Sequence, residues 1–294
     1  MMSLAEAAAA MQGRLAGKDA RMRGVSTDTR SLRAGELFVA IRGERYDGHG
    51  FLAMAHEKGA AGALVDAHYA GPAPLPVIAV EDTRRALGRL GRHWRARFSP
   101  VLIGIAGANG KTTTKEMLAA ILRAHAGEAG VLATEGNLNT DIGVPVTLLQ
   151  LCAAHRFCAI ELGMNHPGEI AWLASLAQPT VAVVTNAQRE HMEFMKSVEA
   201  SAEENANVLR ALPASGVAVV NADDACRPTF LGAAGQRRVV DFALEREATV
   251  TGGYTLKALS SELVLRTPQG EARVDLAIPG LHNVRNALAA AASA

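Results

Sequence analysis

Directly after the apolar run Val101–Ala106, the sequence reads Gly104-Ile-Ala-Gly107-Ala108-Asn109-Gly110-Lys111-Thr112-Thr113-Thr114. Glycines at this spacing let a loop present its backbone N–H groups to phosphate oxygens, and a helix beginning at Lys111 adds the positive end of its dipole. A lysine in that place reaches β- and γ-phosphates, and the hydroxyl after it suits Mg²⁺. Gly107, Ala108, Asn109, Gly110, Lys111, Thr112 and Thr113 are therefore candidate nucleotide-binding residues, with Thr112 also a candidate metal ligand. The strict phosphate-loop spacing puts a glycine five residues before Gly110, where this chain has Ile105. The loop specifies nucleotide binding and leaves open what receives the phosphate.

Two further residues fall where an open α/β sheet places its ligands, beyond the carboxyl ends of strands. Glu161 closes the predicted strand Phe157–Ile160 and offers a hard oxygen suited to Mg²⁺. His191 follows the predicted strand Val181–Val184. Asn137, Asn139 and Thr140 lie in a glycine-bounded loop and read equally as turn-formers and as substrate-facing groups. Nearer the start, Ser26-Thr27-Asp28-Thr29-Arg30 offers two hydroxyls and a guanidinium fork for a phosphate. Asp28 equally suits an Asx-turn, and Gly48-His49 equally suits a plain turn.

Those residues need elements to hold them. Of the 294 residues 49% are apolar and 20% charged, which is ample for two packed cores at roughly 150 residues per domain. Thirty Lys and Arg against 29 Asp and Glu give a net +1, with no global field favouring nucleic acid or an anionic membrane. Cys152, Cys158 and Cys226 are odd in number and make no C-x-x-C pair, against a disulfide framework or zinc ribbon and in favour of a reducing cytoplasm. The alanine-rich start carries Glu6 where a leader would be basic, so it reads as a first helix, and no apolar run reaches the ~20 residues that span a bilayer.

Up to about Ala70 short strands (Val25-Ser26, Leu37–Ile41) alternate with glycine turns, and Phe51–Lys58 reads as a helix. Gly71–Pro76 breaks regular structure, Val77–Val80 is a strand, and Asp82 caps a basic amphipathic helix to Arg97 whose arginines form a solvated face. Ser99-Pro100 marks a boundary, dividing the chain into residues 1–98 and 99–294. From Val101 buried-type strands alternate with helices, the signature of a mostly parallel sheet wrapped by helices. Past Asp241 strands centre on Tyr254, Leu263–Leu265 and Val274–Ile278, and a last helix starts near His282. The fold class is α/β: a small N-terminal α/β domain and a central, phosphate-loop-type domain.

The G-x-x-G-x-x-G-K-T-T loop resembles the Mur ligases and their folylpolyglutamate synthetase relatives. Lys115-Glu116, Gly136-Asn137-Leu-Asn139-Thr140-Asp-Ile-Gly143-Val-Pro145, Glu161-Leu-Gly-Met-Asn165, Thr185-Asn-Ala187 with His191, and Pro279-Gly-Leu-His282-Asn283-Val-Arg-Asn286 are similar to one branch of the Mur ligases. That branch joins D-Ala-D-Ala to UDP-MurNAc-tripeptide through an acyl phosphate in peptidoglycan precursor synthesis. The resemblance implies ATP with Mg²⁺, catalytic roles for Lys111, Glu161 and His191, metal ligation by Thr112, Glu161 and His191, and adenine-side contacts from His282, Asn283 and Asn286. It implies UDP-substrate binding by Thr27, Asp28, Thr29, Arg30, Gly43, Asp47, His49, Asn137, Asn139 and Thr140, a monomer, and neither nucleic acid nor membrane as partner. The Mur ligase adding the third stem residue usually has E-V-S-S where this chain has Glu161-Leu-Gly-Met. A folylpolyglutamate synthetase would leave the N-terminal domain unexplained, and a nucleotide-binding module without turnover is the reading of a different class.

Two departures accompany the resemblance. Many Mur ligases carry, in the helix after the histidine, a lysine that is carbamylated and bridges the metals. Here Asn205 falls at that place and Asn207 where an acid is usual, so either the amide meets the metal site neutrally or a water or another anion fills it. The resemblance also implies a third domain after the His282 helix that binds the dipeptide, so binding with little or no ligation is the expectation for these residues.

Overall fold

Short apolar and β-branched runs in the first hundred residues pair into a sheet that is buried on both faces. The computed structural model describes residues 1–43, 46–188 and 197–294. After helix α1 (Leu4–Met11) come strands β1 (Arg14–Ala16), β2 (Gly24–Ser26) and β3 (Glu36–Val39), helix α2 (Leu52–Glu57), strands β4 (Gly62–Asp66) and β5 (Val77–Val80), and helix α3 (Thr83–Arg95). The sheet order is β1-β5-β4-β3-β2, parallel throughout except where β1 pairs with β5. Side chains alternate across it, as the period of a strand requires. Leu37, Val39, Leu64, Ile78 and Val80 meet Leu4, Met11, Leu87 and Leu90 of α1 and α3. Phe38, Ala63 and Val65 meet Leu52 and Ala55 of α2 on the other face. Asp82 caps α3 by accepting the N–H groups of Arg84 and Arg85. The arginines of α3 do not all form a solvated face: Arg95 is buried, because its guanidinium finds an acceptor in the Phe98 carbonyl just past the helix.

A second sheet starts at β6 (Val101–Ala106), followed by helix α4 (Lys111–Ala126) and strand β7 (Val131–Ala133). Helix α5 (Gly143–Leu148) precedes β8 (Phe157–Glu161), helix α6 (Glu169–Ala177) and β9 (Val181–Val184). Helices α7 (Val198–Asn205) and α8 (Asn207–Arg210), strand β10 (Val217–Asn221), helix α9 (Arg227–Ala234) and β11 (Arg238–Ala243) complete the alternation. A meander β12 (Val250–Leu256), β13 (Ser261–Thr267), β14 (Gly270–Leu276) leads into helix α10 (Leu281–Ser293).

The nine strands run β14-β13-β12-β11-β10-β9-β6-β8-β7, parallel from β7 to β12 and antiparallel in the meander. Ile103 and Ile105 of β6, with Val183, Val219 and Phe242, pack beneath Leu118 and Leu122 of α4 and Val284 and Leu288 of α10. Strand order reverses beside β6, and at such a switch point two loops diverge and leave a crevice.

The chain forms two units, Met1–Phe98 with Asp141–Leu151, and Ser99–Thr140 with Cys152–Ala294. A single cut after residue 98 therefore misassigns Asp141–Leu151, which carries α5. That segment belongs with the first unit because its bonds are made there: Arg84 pairs with Asp141 and Trp94 Nε1 donates to the Leu151 carbonyl. All three cysteines are free thiols, and among the described residues no helix is long and apolar enough to cross a membrane.

Candidate active site

At the carboxyl end of β6 the backbone turns through Gly107 (φ +128°) and Gly110 (φ +80°), left-handed values open to glycine but strained for other residues. Space demands glycine as well, since a β-carbon at Gly107 would lie 2.2 Å from Thr185 Oγ1, and one at Gly110 2.2 Å from Asn286 Oδ1. The peptides between these two turns are held from outside the loop. Gly107 N–H donates to Asn205 Oδ1 (2.8 Å), Ala108 N–H to the Asn186 carbonyl (2.9 Å) and Asn109 N–H to Asn186 Oδ1 (3.1 Å). The Asn109 carbonyl accepts from Thr185 Oγ1 and Asn186 Nδ2. The N–H groups of Gly107, Ala108 and Asn109 are thus spent inside the protein, although the loop reading offered all three to phosphate. Helix α4 has no side-chain cap, so an anion would meet the orphan donors of its first turn. Lys111 Nζ lies over the same loop, donating to the carbonyls of Gly107 and Ala108.

Glu161 ends β8, in register with Ile105 of β6, which brings a carboxylate beside the loop. It is 2% exposed. Its N–H donates to Thr134 Oγ1, and its Oε1 accepts from Asn139 Nδ2 at 2.7 Å. Its Oε2 is buried with no hydrogen-bond partner among the described residues, as is the Thr114 hydroxyl. A buried carboxylate oxygen without a donor is costly unless a cation meets it. The oxygens here suit a hard ion such as Mg²⁺, which takes one or two carboxylates and completes its shell with phosphate and water. Among the described residues no three His, Cys, Asp or Glu side chains gather as a protein-only metal cage. Thr112 is exposed in the first turn of α4. His191 lies outside the described residues.

A cleft of about 640 Å³ opens beside the loop, lined by Asn109, Gly110, Thr113, His282, Asn283 and Asn286 among others. Six of the residues read as nucleotide-binding thus share one cavity, though His282, Asn283 and Asn286 come from α10, more than 150 residues along the chain. Residues given no site role from sequence line it too: Asn186 and Arg285 of the family-like segments, and Asn221, Asp223, Asp224 and Glu245. The strand-end logic that found Glu161 would have found Asn221-Ala-Asp223-Asp224 after β10. These two acids brace the walls: Asp223 accepts the N–H groups of Leu244 and Arg246, and Asp224 those of Ala187 and Cys226. Arg285 pairs with Glu245 across the rim.

Asn139 sits in the same unit, its side chain on Glu161 and its carbonyl on the Gly163 N–H, so it positions the acid. Asn137 accepts the Asn139 N–H in the turn before it, and Thr140 closes the segment. The other residues read as substrate-binding lie in the first unit. Arg30 is 89% exposed and forks onto Asp28, whose carboxyl it holds below its usual pKa by donating to it. Thr29 is buried, its carbonyl accepting from Lys58, and Thr27 is half-buried. Gly43 N–H donates to the Tyr46 carbonyl. His49 departs from the ligand reading. It is buried, Nδ1 meets Asp47 Oδ1, Nε2 accepts the Asp66 N–H, and the ring stacks on Tyr69. A nitrogen that accepts an N–H carries no proton, so the ring is the Nδ1–H tautomer, with both nitrogens committed. That bond holds the Asp47 carboxyl below its ordinary value.

Residues 105–294 match the Mur ligase middle domain and residues 21–95 the Mur ligase family catalytic domain. The chain belongs to the Mur ligase family. It is 41% identical over 286 residues to the UDP-N-acetylmuramoyl-tripeptide–D-alanyl-D-alanine ligase of Escherichia coli (strain K12), covering 96% of this chain and 62% of that protein. The crystal structure I of MurF from Acinetobacter baumannii superposes with a TM-score of 0.90 at 34% identity, covering 99% of this Mur ligase chain and 64% of that one. The MurF ligase from Thermotoga maritima, crystallised in complex with ADP, gives 0.79 at 25% identity, covering 93% and 63%. The chain thus spans less than two thirds of the length of each.

Proposed function

We propose that this chain serves an ATP-dependent ligase that joins D-Ala-D-Ala to UDP-MurNAc-tripeptide. The observation that carries the reading is the buried, half-satisfied Glu161 at the end of β8, next to a phosphate loop whose helix has no side-chain cap and over which Lys111 Nζ lies on the Gly107 and Ala108 carbonyls. Amide formation from a carboxylate needs a leaving group. An oxygen of the tripeptide carboxylate attacks the γ-phosphorus of ATP, the bond to the β,γ-bridging oxygen breaks, and ADP departs. The dipeptide amine then attacks the acyl carbon of the resulting acyl phosphate, loses a proton, and inorganic phosphate leaves.

Phosphoryl transfer of this kind asks mainly for positioning and charge neutralisation. Lys111 and the first-turn N–H groups of α4 meet the β- and γ-phosphate oxygens. Thr112 and Glu161 would hold Mg²⁺, with His191 in the family's second metal position. When bound there, Mg²⁺ supplies positive charge against the phosphate oxygens. Asn139 keeps Glu161 turned to the site. The cleft walls His282, Asn283 and Asn286 receive the base. In the first unit Thr27, Asp28, Thr29, Arg30, Gly43 and Asp47 face the UDP moiety; Arg30 exchanges Asp28 for a phosphate at little expense, since an ion pair in full contact with water is weak. Both reactants, ATP and a UDP-linked sugar, place the work in the cytoplasm.

Phosphate release measured with UDP-MurNAc-tripeptide, D-Ala-D-Ala and Mg·ATP tests the proposal. Release that requires the dipeptide supports it. Release with the tripeptide alone, indifferent to the dipeptide, defeats it. ADP binding without release under any condition supports instead a nucleotide-binding module.

A further inference from the structure

Four successive peptides of the phosphate loop carry fixed partners, and among the described residues all but one of those partners come from the loop and Lys111 or from Thr185 and Asn186 just past β9. The Ala106 carbonyl accepts from the Thr185 N–H. The next two carbonyls, of Gly107 and Ala108, both receive Lys111 Nζ, and the one after, of Asn109, receives Thr185 Oγ1 and Asn186 Nδ2. The exception is the Gly107 N–H, which crosses to Asn205 Oδ1 on α7. Asn205 is 1% exposed, and its Nδ2 donates to the Ser201 carbonyl at 3.0 Å. The site therefore needs one acceptor and one donor on the same short side chain. An amide has both, a carboxylate lacks the donor, and an aliphatic chain lacks both.

We infer that Asn205 is a positioning residue for phosphate binding. By taking the Gly107 N–H it holds the first peptide of the loop from the side opposite Thr185, whose N–H holds the Ala106 carbonyl of the same peptide. That peptide's orientation fixes the direction of the next, whose carbonyl seats Lys111. Loss of the bond leaves a buried N–H unpaired on a peptide then held by Thr185 alone, and the shift that relieves it moves the Gly107 carbonyl under Lys111, so the ammonium group and the first turn of α4 no longer converge on one anion. The effect falls on the phosphates and spares the base, whose side of the cleft is built by α10.

This inference rests on the nucleotide-binding reading above, and the experiment separates the two. The 294-residue chain and its Asn205→Leu and Asn205→Asp variants are titrated with ADP and with adenosine, followed by ligand-observed NMR. The expected result for Asn205→Leu is an ADP Kd about tenfold weaker, the scale of an unpaired buried donor, with adenosine affinity unchanged. Asn205→Asp, which keeps the acceptor but puts a negative charge behind the loop, also loses ADP and keeps adenosine, and raised ionic strength recovers part of its loss but none of the leucine variant's. Equal weakening of both ligands, or no weakening of ADP, overturns the inference while leaving nucleotide binding intact. Failure of the unsubstituted chain to bind ADP overturns the nucleotide reading, and the inference with it.

Discussion

Replacing Glu161 with glutamine should make the protein more stable and less able to use a metal. In the fold as it stands, Glu161 is a carboxylate with one oxygen held by Asn139 and the other buried without a donor. A buried charge lacking compensation costs several kcal/mol, whereas a neutral amide with one unpaired group costs about 1–3 kcal/mol. The glutamine oxygen keeps the Asn139 bond, so the difference favours the variant by about 1–2 kcal/mol. For a unit of this size that corresponds to a rise of roughly 2–8 °C in Tm. The chain's two tryptophans make the assay specific, since Trp94 lies in the first unit and Trp172 in the second. In a Trp94→Phe background, urea unfolding followed by Trp172 fluorescence without divalent cations reads the second unit alone. Adding Mg²⁺ and ADP should then raise the midpoint of the parent and leave that of Glu161→Gln at its ADP-only value. A variant equal to or less stable than the parent without cation would refute the argument, because it would mean that the buried oxygen is already compensated.

Three other perturbations test separate parts of the account. Gly110→Ala forces a β-carbon onto Asn286 Oδ1 in a left-handed turn, so it should lower stability by at least about 1 kcal/mol; adding Asn286→Ala should recover the steric part only, measured as a positive coupling in a double-mutant cycle. His49→Leu removes the acceptor of the Asp66 N–H and should destabilise the first unit by about 1–3 kcal/mol, read by Trp94 fluorescence in urea. At Asp241, burial pushes the carboxyl up, but bonds from the Thr249 N–H and hydroxyl and from Arg227 outweigh it and leave the group below its ordinary value. A carboxyl lowered by folding contributes stability above its unfolded pKa near 4, lost as pH falls through the folded value. Asp241→Asn should therefore flatten the acid limb of the stability–pH curve below about pH 4, while the curve from pH 6 to 8 keeps its shape.

Local chemistry made much of this protein legible in advance. The short apolar run Val101–Ala106, closed by glycines, reads as a buried strand, Gly107 and Gly110 answer a backbone demand that is written in the residue type, and Asp82 announces the start of α3. Glu161 was visible because strand ends in a parallel sheet face the ligand. Each of these follows from a neighbour within a few residues, where spacing and geometry are the same thing. What tertiary structure alone decided is which distant groups meet. No periodicity tells that Asp141–Leu151 packs with the first unit, that His49 spends both nitrogens inside the fold, or that the N–H groups of Gly107, Ala108 and Asn109 are taken by acceptors of the protein itself. The reason is that hydrogen-bond partners are allotted in space: the loop's donors are bid for by Asn186 and Asn205, which lie 77 and 98 residues along the chain. The sequence names the donors, and the pairing of β9 with β6 and the placing of Asn205 at the end of α7 choose their acceptors.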